Sequence, residues 1–194
     1  RIKVQPATGK FLKINRKWSD GDAVTLRLPM KIDVKTWEKN HRSVSVNYGP
    51  LTFSLKIEEY YRRKASDETA IGDSKWQKSA DREAWPSFEI LPGSPWNYGL
   101  LLDGPDAARS FTLKKRSWPA DNFPFTLESC PFEITAKAKK IPEWQIDNYG
   151  LCAPLKDSPV FSDQPVETVQ MIPMGAARLR VSAFPVVGEK GRRW

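Results

Sequence analysis

Hydrophobic and polar residues alternate with a period of two in short runs along this chain, and Pro, Gly, Asn and Asp separate each run from the next. This is the pattern of antiparallel strands that bury one face. At residues 24–28, Val24, Leu26 and Leu28 alternate with Thr25 and Arg27, and the preceding Asp20-Gly21 pair predicts a tight turn. Val44 and Val46 alternate with Ser43, Ser45 and Asn47. After Tyr48-Gly49-Pro50 the alternation resumes, with Leu51, Phe53, Leu55 and Ile57 set against Thr52, Ser54 and Lys56. The pattern predicts two strands that meet at a Gly-Pro bend. Further strands are predicted at 88–91, 99–102, 111–114, 125–127, 132–138, 167–172 and 178–184. In the last of these, Leu179, Val181 and Ala183 face one way and Arg178, Arg180 and Ser182 the other, up to the stop at Pro185. Helical periodicity is nearly absent.

Residues 58–84 read differently. They are polar and charged, with Tyr60-Tyr61 as the main apolar content, and predict a linker or insert holding a short helix or two. The chain therefore divides into residues 1–57, the C-terminal strands of a first β-sandwich; 58–84, the polar insert; and 85–194, a second β-sandwich. Sixteen prolines between the runs argue against long helices. The fold class expected is all-β, an antiparallel, jelly-roll-like sandwich in which a remnant of one sandwich precedes a second. No repeat at a fixed period and no low-complexity tract is present, which removes solenoids and propellers.

Composition adds bounds. With 194 residues and 40% apolar content, the chain is long enough to bury a substantial core. No apolar stretch approaches the roughly 20 residues that cross a bilayer, so a soluble chain with no membrane partner is expected. Strand-like positions begin at Ile2 and Val4, which suggests a fragment of a longer protein. The 31 basic and 23 acidic residues leave a net charge of +8. The cations lie in small scattered groups, such as Arg62-Arg63-Lys64 and Lys114-Lys115-Arg116, with acids between them; this reads as a solvated surface and not as a nucleic-acid site. Cys130 and Cys152 are too few for a disulfide framework and lack zinc-site spacing, so two free thiols are expected.

Candidate chemistry is sparse. His41, in the polar stretch 38–42, has no sequence partner for a catalytic arrangement and reads as a surface residue. The zinc-protease, nucleophile-elbow, P-loop and dinucleotide signatures are all missing. Asp103, Asp106, Glu128, Glu133, Glu143 and Asp147 could supply carboxylates for glycoside hydrolysis, but sequence does not pair them in space. The aromatics say more. Eight Trp, five Tyr and nine Phe exceed the needs of a minimal core. Trp76, Trp85, Trp96, Tyr98, Trp118, Trp144 and Tyr149 sit beside Pro, Gly or polar residues near predicted strand ends. Such rings seal the ends of a sandwich, or else line a ligand groove; Trp96, Tyr98 and Trp144 are the candidate carbohydrate-binding residues.

Several segments carry a family resemblance. Trp18-Ser19-Asp20-Gly21-Asp22 with the following Leu28-Pro29-Met30 resembles the "W-x-D-G-D … L-x-L-P-M" stretch of the β-L-arabinofuranosidase-like family, glycoside hydrolase family 127 and its bacterial relatives. Val44-Ser45-Val46 and Gly49-Pro50-Leu51 look like its "V-x-V … R-G-P-L" pair, with Tyr48 where arginine is frequent. Ser94-Pro95-Trp96-Asn97-Tyr98-Gly99-Leu100 resembles "S-P-W-N-Y-G-L". Residues 136–144, Ala-Lys-Ala-Lys-Lys-Ile-Pro-Glu-Trp, resemble "A-K-A-R-R-I-P-E-W", and Ala153-Pro154-Leu155 and Ser158-Pro159-Val160 follow in order. Glu167-Thr168-Val169, Ile172-Pro173-Met174-Gly175, Arg178-Leu179-Arg180-Val181 and Phe184-Pro185 look like the closing "E-T-I … I-P-Y-G … L-R-I-S-x-F-P" pattern, with Met174 in place of the usual tyrosine. The matches span nearly the whole chain; residues 60–84 stand outside them.

The resemblance implies a non-catalytic ancillary region. In that family an α/α barrel carries the active site, a glutamate and a cysteine cluster with zinc, and β-sandwich domains follow it. Cys130 and Cys152 do not match the zinc-binding motifs, so no catalytic residue, metal ligand or cofactor is assigned to this chain. The implied partner is the catalytic barrel of the full-length protein, with an arabinose-containing plant oligosaccharide as a second expected partner if the region is a carbohydrate-binding module. A periplasmic or extracellular location is what the family suggests.

Overall fold

A computed structural model describes residues 9, 11–64, 86–148 and 150–188. The fold is all-β, as the alternation predicts. Nine strands are described: β1 (Ile32–Trp37), β2 (Ser43–Tyr48), β3 (Leu51–Leu55), β4 (Glu59–Lys64), β5 (Ser87–Pro92), β6 (Tyr98–Leu100), β7 (Phe111–Lys115), β8 (Phe132–Lys140) and β9 (Glu167–Pro173). Short 3-10 turns occupy Ala107–Ser110 and Met174–Ala176. Seven strands form one antiparallel sheet in the order β1-β2-β3-β9-β8-β6, with β7 also paired to β8, and β4 and β5 form a separate hairpin.

Period-2 patterning explains which face is buried. Val44, Val46 and Tyr48 of β2, Phe53 and Leu55 of β3, Ile134, Ala136 and Ala138 of β8, and Val169 and Met171 of β9 enter one core. Burying a side chain such as Phe53 or Leu55 contributes roughly 1.5–3 kcal/mol. The polar alternates, Ser43, Ser45 and Asn47 on β2 and Thr52 and Ser54 on β3, occupy the opposite face. β2 turns into β3 through a two-residue loop, Tyr48 opposite Leu51, with Gly49 at φ 56° in the first central position that a II′ turn reserves for glycine. Phe53, Ser54 and Leu55, from residues 1–57, pair with Pro173, Ile172 and Met171, from residues 85–194.

Several expected elements are corrected. Residues 24–28 form no strand: the Asp20-Gly21 turn is present, closed by Asp22 N–H donating to the Ser19 carbonyl at 3.1 Å, but Val24, Leu26 and Leu28 stand 64%, 69% and 75% exposed. Alternation encodes a two-faced segment and cannot supply its neighbour. Residues 125–127 are not a strand either, since Thr126 and Ser129 bond each other's backbone and side chains and offer the chain a turn in place of a ladder. Within the polar insert, residues 59–64 form β4 and not a linker or helix; Tyr61 packs edge-on against Phe88, and Arg62 Nε donates to Glu89 at 2.9 Å across the hairpin. The rest of that insert, 65–84, lies outside the described residues. β1 is an element the alternation reading passed over.

The segment 178–184 forms no ladder, although it is extended and buried at its end. It enters where β2 and β3 splay apart. Val181 carbonyl accepts from Leu55 N–H at 2.8 Å and from Ser54 Oγ at 3.2 Å, and Phe184 exchanges backbone bonds with Val44 at 2.8 and 2.9 Å. Next, Leu100 of β6 donates to Pro185 and accepts from Val187, and Val160 donates to Val186. Because β2 and β6 lie toward opposite ends of the sheet order, this one strip joins them and curls the sheet around the core. A strip that changes partner at each residue has no stretch long enough to form a strand.

Candidate functional site

The three residues singled out for sugar contact do converge, at the β6 end of the sheet. Tyr98 lies on β6, Trp96 just before it and Trp144 just after β8, and the two indoles meet edge to face at 5.1 Å and 73°. They form a seal. Trp144 is 2% exposed and its Nε1–H donates to the Ala153 carbonyl at 2.9 Å. Tyr98 is 6% exposed and donates its hydroxyl to Glu167 at 2.8 Å, while Lys140 Nζ reaches the other Glu167 oxygen at 3.1 Å. Trp96 is half-buried and packs on the main core. Burial, and then the hydrogen bond to a carboxylate, push the Tyr98 phenol up to about 12. The same phenol, followed by Lys140, holds the Glu167 carboxyl below its ordinary range. No flat face of Trp144 or Tyr98 is offered to solvent. Trp118, by contrast, is 57% exposed and donates to Asn122 at 2.6 Å; Trp76, Trp85 and Tyr149 lie outside the described residues.

The carboxylates available to chemistry are dispersed. Glu133 is buried and held by Arg116 at 2.8 Å with Lys56 at 4.0 Å. Asp106 pairs with Arg109, and Asp147 accepts from Leu151 N–H. Among the described residues no three His, Cys, Asp or Glu side chains group as a metal site. His41 lies in the β1–β2 turn and meets Asp157 at 2.8 Å. Cys130 and Cys152 are free; Cys130 is buried and Cys152 is exposed as a residue, and desolvation pushes both thiols up. No helix among the described residues is long and apolar enough to cross a membrane.

A different site comes from the polar face of β1, β2 and β3. The register sets Lys35 opposite Ser45, Trp37 opposite Ser43 and Asn47 opposite Thr52. Small residues on β2 lie between the taller Trp37 and Lys35 on one side and the Ser182-Ala183 strip on the other. The result is a groove of about 520 Å³ lined by Lys35, Trp37, Asn40, Ser45, Asn47, Thr52, Ser182 and Ala183. Trp37 Nε1–H donates to Ser45 Oγ at 3.0 Å, and Lys35 Nζ stands 3.8 Å from the indole centroid, so the ring is held from two directions. Thr52 Oγ1 donates to Asn47 Oδ1 at 2.9 Å, and Asn40 Nδ2 donates to Ser43 Oγ at 3.3 Å. Buried Ser182 Oγ has no hydrogen-bond partner among the described residues. The alternation of Ser43, Ser45 and Asn47 was a sequence signal for this polar face, but its pairing with Trp37 depended on β1.

Comparison with protein-family models, with curated proteins and with solved structures finds no match for this chain.

Proposed function

We propose that this chain is a non-catalytic β-sandwich region of a glycoside hydrolase acting on arabinose-containing plant glycans, and that it braces the catalytic α/α barrel of its parent protein. The reading rests on the ordered resemblance to the β-L-arabinofuranosidase-like family. One observation carries it on the structural side: Val24, Leu26 and Leu28 form an apolar stripe that is strongly exposed and has no sheet partner among the described residues. An exposed apolar patch next to a well-filled core favours a surface that another body covers, and the stripe lies within the resembling "W-x-D-G-D … L-x-L-P-M" stretch. On this reading the family's zinc site belongs to the barrel, and no cofactor or catalytic residue is assigned to this chain. The dispersed carboxylates and the sealed Trp96-Tyr98-Trp144 cluster are in keeping with a bracing role.

The test supplies a barrel from that family in trans. The chain is expected to co-elute with it, to lose that association in a Leu26→Lys, Leu28→Lys double variant, and to release no sugar from arabino-oligosaccharides by itself. Turnover by the chain alone, or a barrel that ignores it, would overturn the reading.

A further inference from the structure

The groove on the polar face of β1–β3 matches a ligand chemistry that bracing a barrel does not call for. Its lining holds groups of both hydrogen-bonding kinds with capacity to spare. Asn47 takes a hydrogen bond at Oδ1, and its amide NH2 has no partner among the described residues. Asn40 donates through Nδ2 and keeps its Oδ1 acceptor. Ser45 Oγ accepts from Trp37 and keeps its own proton to donate. Ser182 contributes to the wall, but its Oγ lies beneath the surface, with no hydrogen-bond partner among the described residues. Beside them stands one indole, 43% exposed and fixed by its own hydrogen bond.

We propose that this groove binds a neutral sugar residue of a glycan, with the Trp37 ring against the sugar's C–H face and Asn47, Asn40 and Ser45 meeting its hydroxyls. A sugar hydroxyl both donates and accepts, and so pairs with amides and serines in either sense; the C–H face supplies apolar area for the ring. The alternatives fit the lining less well. A peptide adding as a strand needs free main-chain groups, whereas the floor here is the side-chain face of strands already paired. A phosphate or polyuronate needs several cations, and among the described residues Lys35 is the one charged residue lining the groove. The proposal stands on the groove alone and holds whether or not the chain braces a barrel.

The experiment titrates the 194-residue chain with neutral arabino-, xylo-, cello- and galacto-oligosaccharides and with polygalacturonate, while following the tryptophan indole N–H signals by NMR; the Trp37→Phe variant assigns its own signal. At least one neutral oligosaccharide should move the Trp37 signal saturably. Trp37→Ala should weaken that binding about tenfold or more, equivalent to about 1.4 kcal/mol, and Asn47→Ala should weaken it too, while the distant exposed Trp118→Ala leaves it unchanged. Circular dichroism checks that each variant keeps its sheet. Absence of saturable binding across the neutral panel would overturn the proposal. So would binding that is indifferent to both Trp37→Ala and Asn47→Ala, or binding confined to polygalacturonate and lost in Lys35→Ala. A family barrel that ignores the chain, with Trp37-dependent sugar binding intact, would sink the bracing role and leave this site standing.

Discussion

At the scale of single residues, packing and charge burial decide which positions tolerate change. Gly99 on β6 has no room for a side chain: an added Cβ would sit 2.7 Å from Val187 Cγ2 and 3.0 Å from Ile141 Cδ1. Gly99→Ala should therefore destabilise the fold by about 1–3 kcal/mol, the range for forced overpacking, seen as a lower urea midpoint; an unchanged midpoint would mean that the strip at Val187 yields freely. Glu133 makes a second case. Its side chain is 4% exposed, whereas Arg116 and Lys56 keep 38% and 27%. Removing Arg116 leaves a buried carboxylate whose remaining cation among the described residues is Lys56 at 4.0 Å, and Arg116→Ala should cost about 2 kcal/mol. Asp106→Ala, which breaks the exposed pair with Arg109, should stay within about 0.5 kcal/mol. Equal costs for the two variants in chemical denaturation would refute this ordering. The thiols divide in the same way. Cys152 should react with a disulfide reagent in the native protein, and Cys130 only as fast as the fold opens.

Elements interact through a few cross-strand groups, and one of them predicts pH behaviour. Tyr98 on β6 donates to Glu167 on β9, and Lys140 on β8 completes the contact. Because the Tyr98 phenol is raised from 10.0 to about 12, its stabilising contribution is complete below pH about 10 and is lost as pH climbs toward 12. Glu167 runs the opposite way: its depressed carboxyl contributes above the unfolded value of about 4.3 and loses that contribution as pH falls through the folded one. An ultraviolet titration should thus find Tyr98 ionising near pH 12, while Tyr61, raised by its hydrogen bond to Glu59, also titrates above the ordinary value. Tyr98→Phe should delete that step, and its stability deficit should shrink as pH falls through the depressed value of the Glu167 carboxyl and that group protonates. A late step that survives in Tyr98→Phe would assign it elsewhere. The strip through Phe184 is the other element-scale determinant. Phe184 is 0% exposed at the point where β2 and β3 diverge, so Phe184→Ala should cost about 3–5 kcal/mol and leave the protein largely unfolded at moderate urea.

Over the whole molecule, the C-terminal strip turns an open sheet into a curled one by bonding Val44, Leu100 and Val160 in succession, and it also forms one wall of the groove through Ser182 and Ala183. Core and candidate site therefore share a single piece of chain. The sequence alone determined the all-β class, the β2–β3 pair with its Gly-Pro turn, and strands near 88–91, 99–102, 111–114, 132–138 and 167–172. Those are the places where period-2 burial and turn residues agree, and both are local properties. It also set Ser43, Ser45 and Asn47 on the face opposite Val44 and Val46. Tertiary structure decided the rest. Residues 24–28 and 178–184 alternate as clearly as β2 does, yet neither is a ladder, because a strand exists only beside a partner of matching length and register. Trp96, Tyr98 and Trp144 looked alike from their Pro- and Gly-rich surroundings, and only packing turned them into a seal. The Trp37 groove could not be read from sequence, because its floor and walls come from β1, β2, β3 and residues 182–183, brought together only by a sheet register and a closing strip set by distant stretches of the chain.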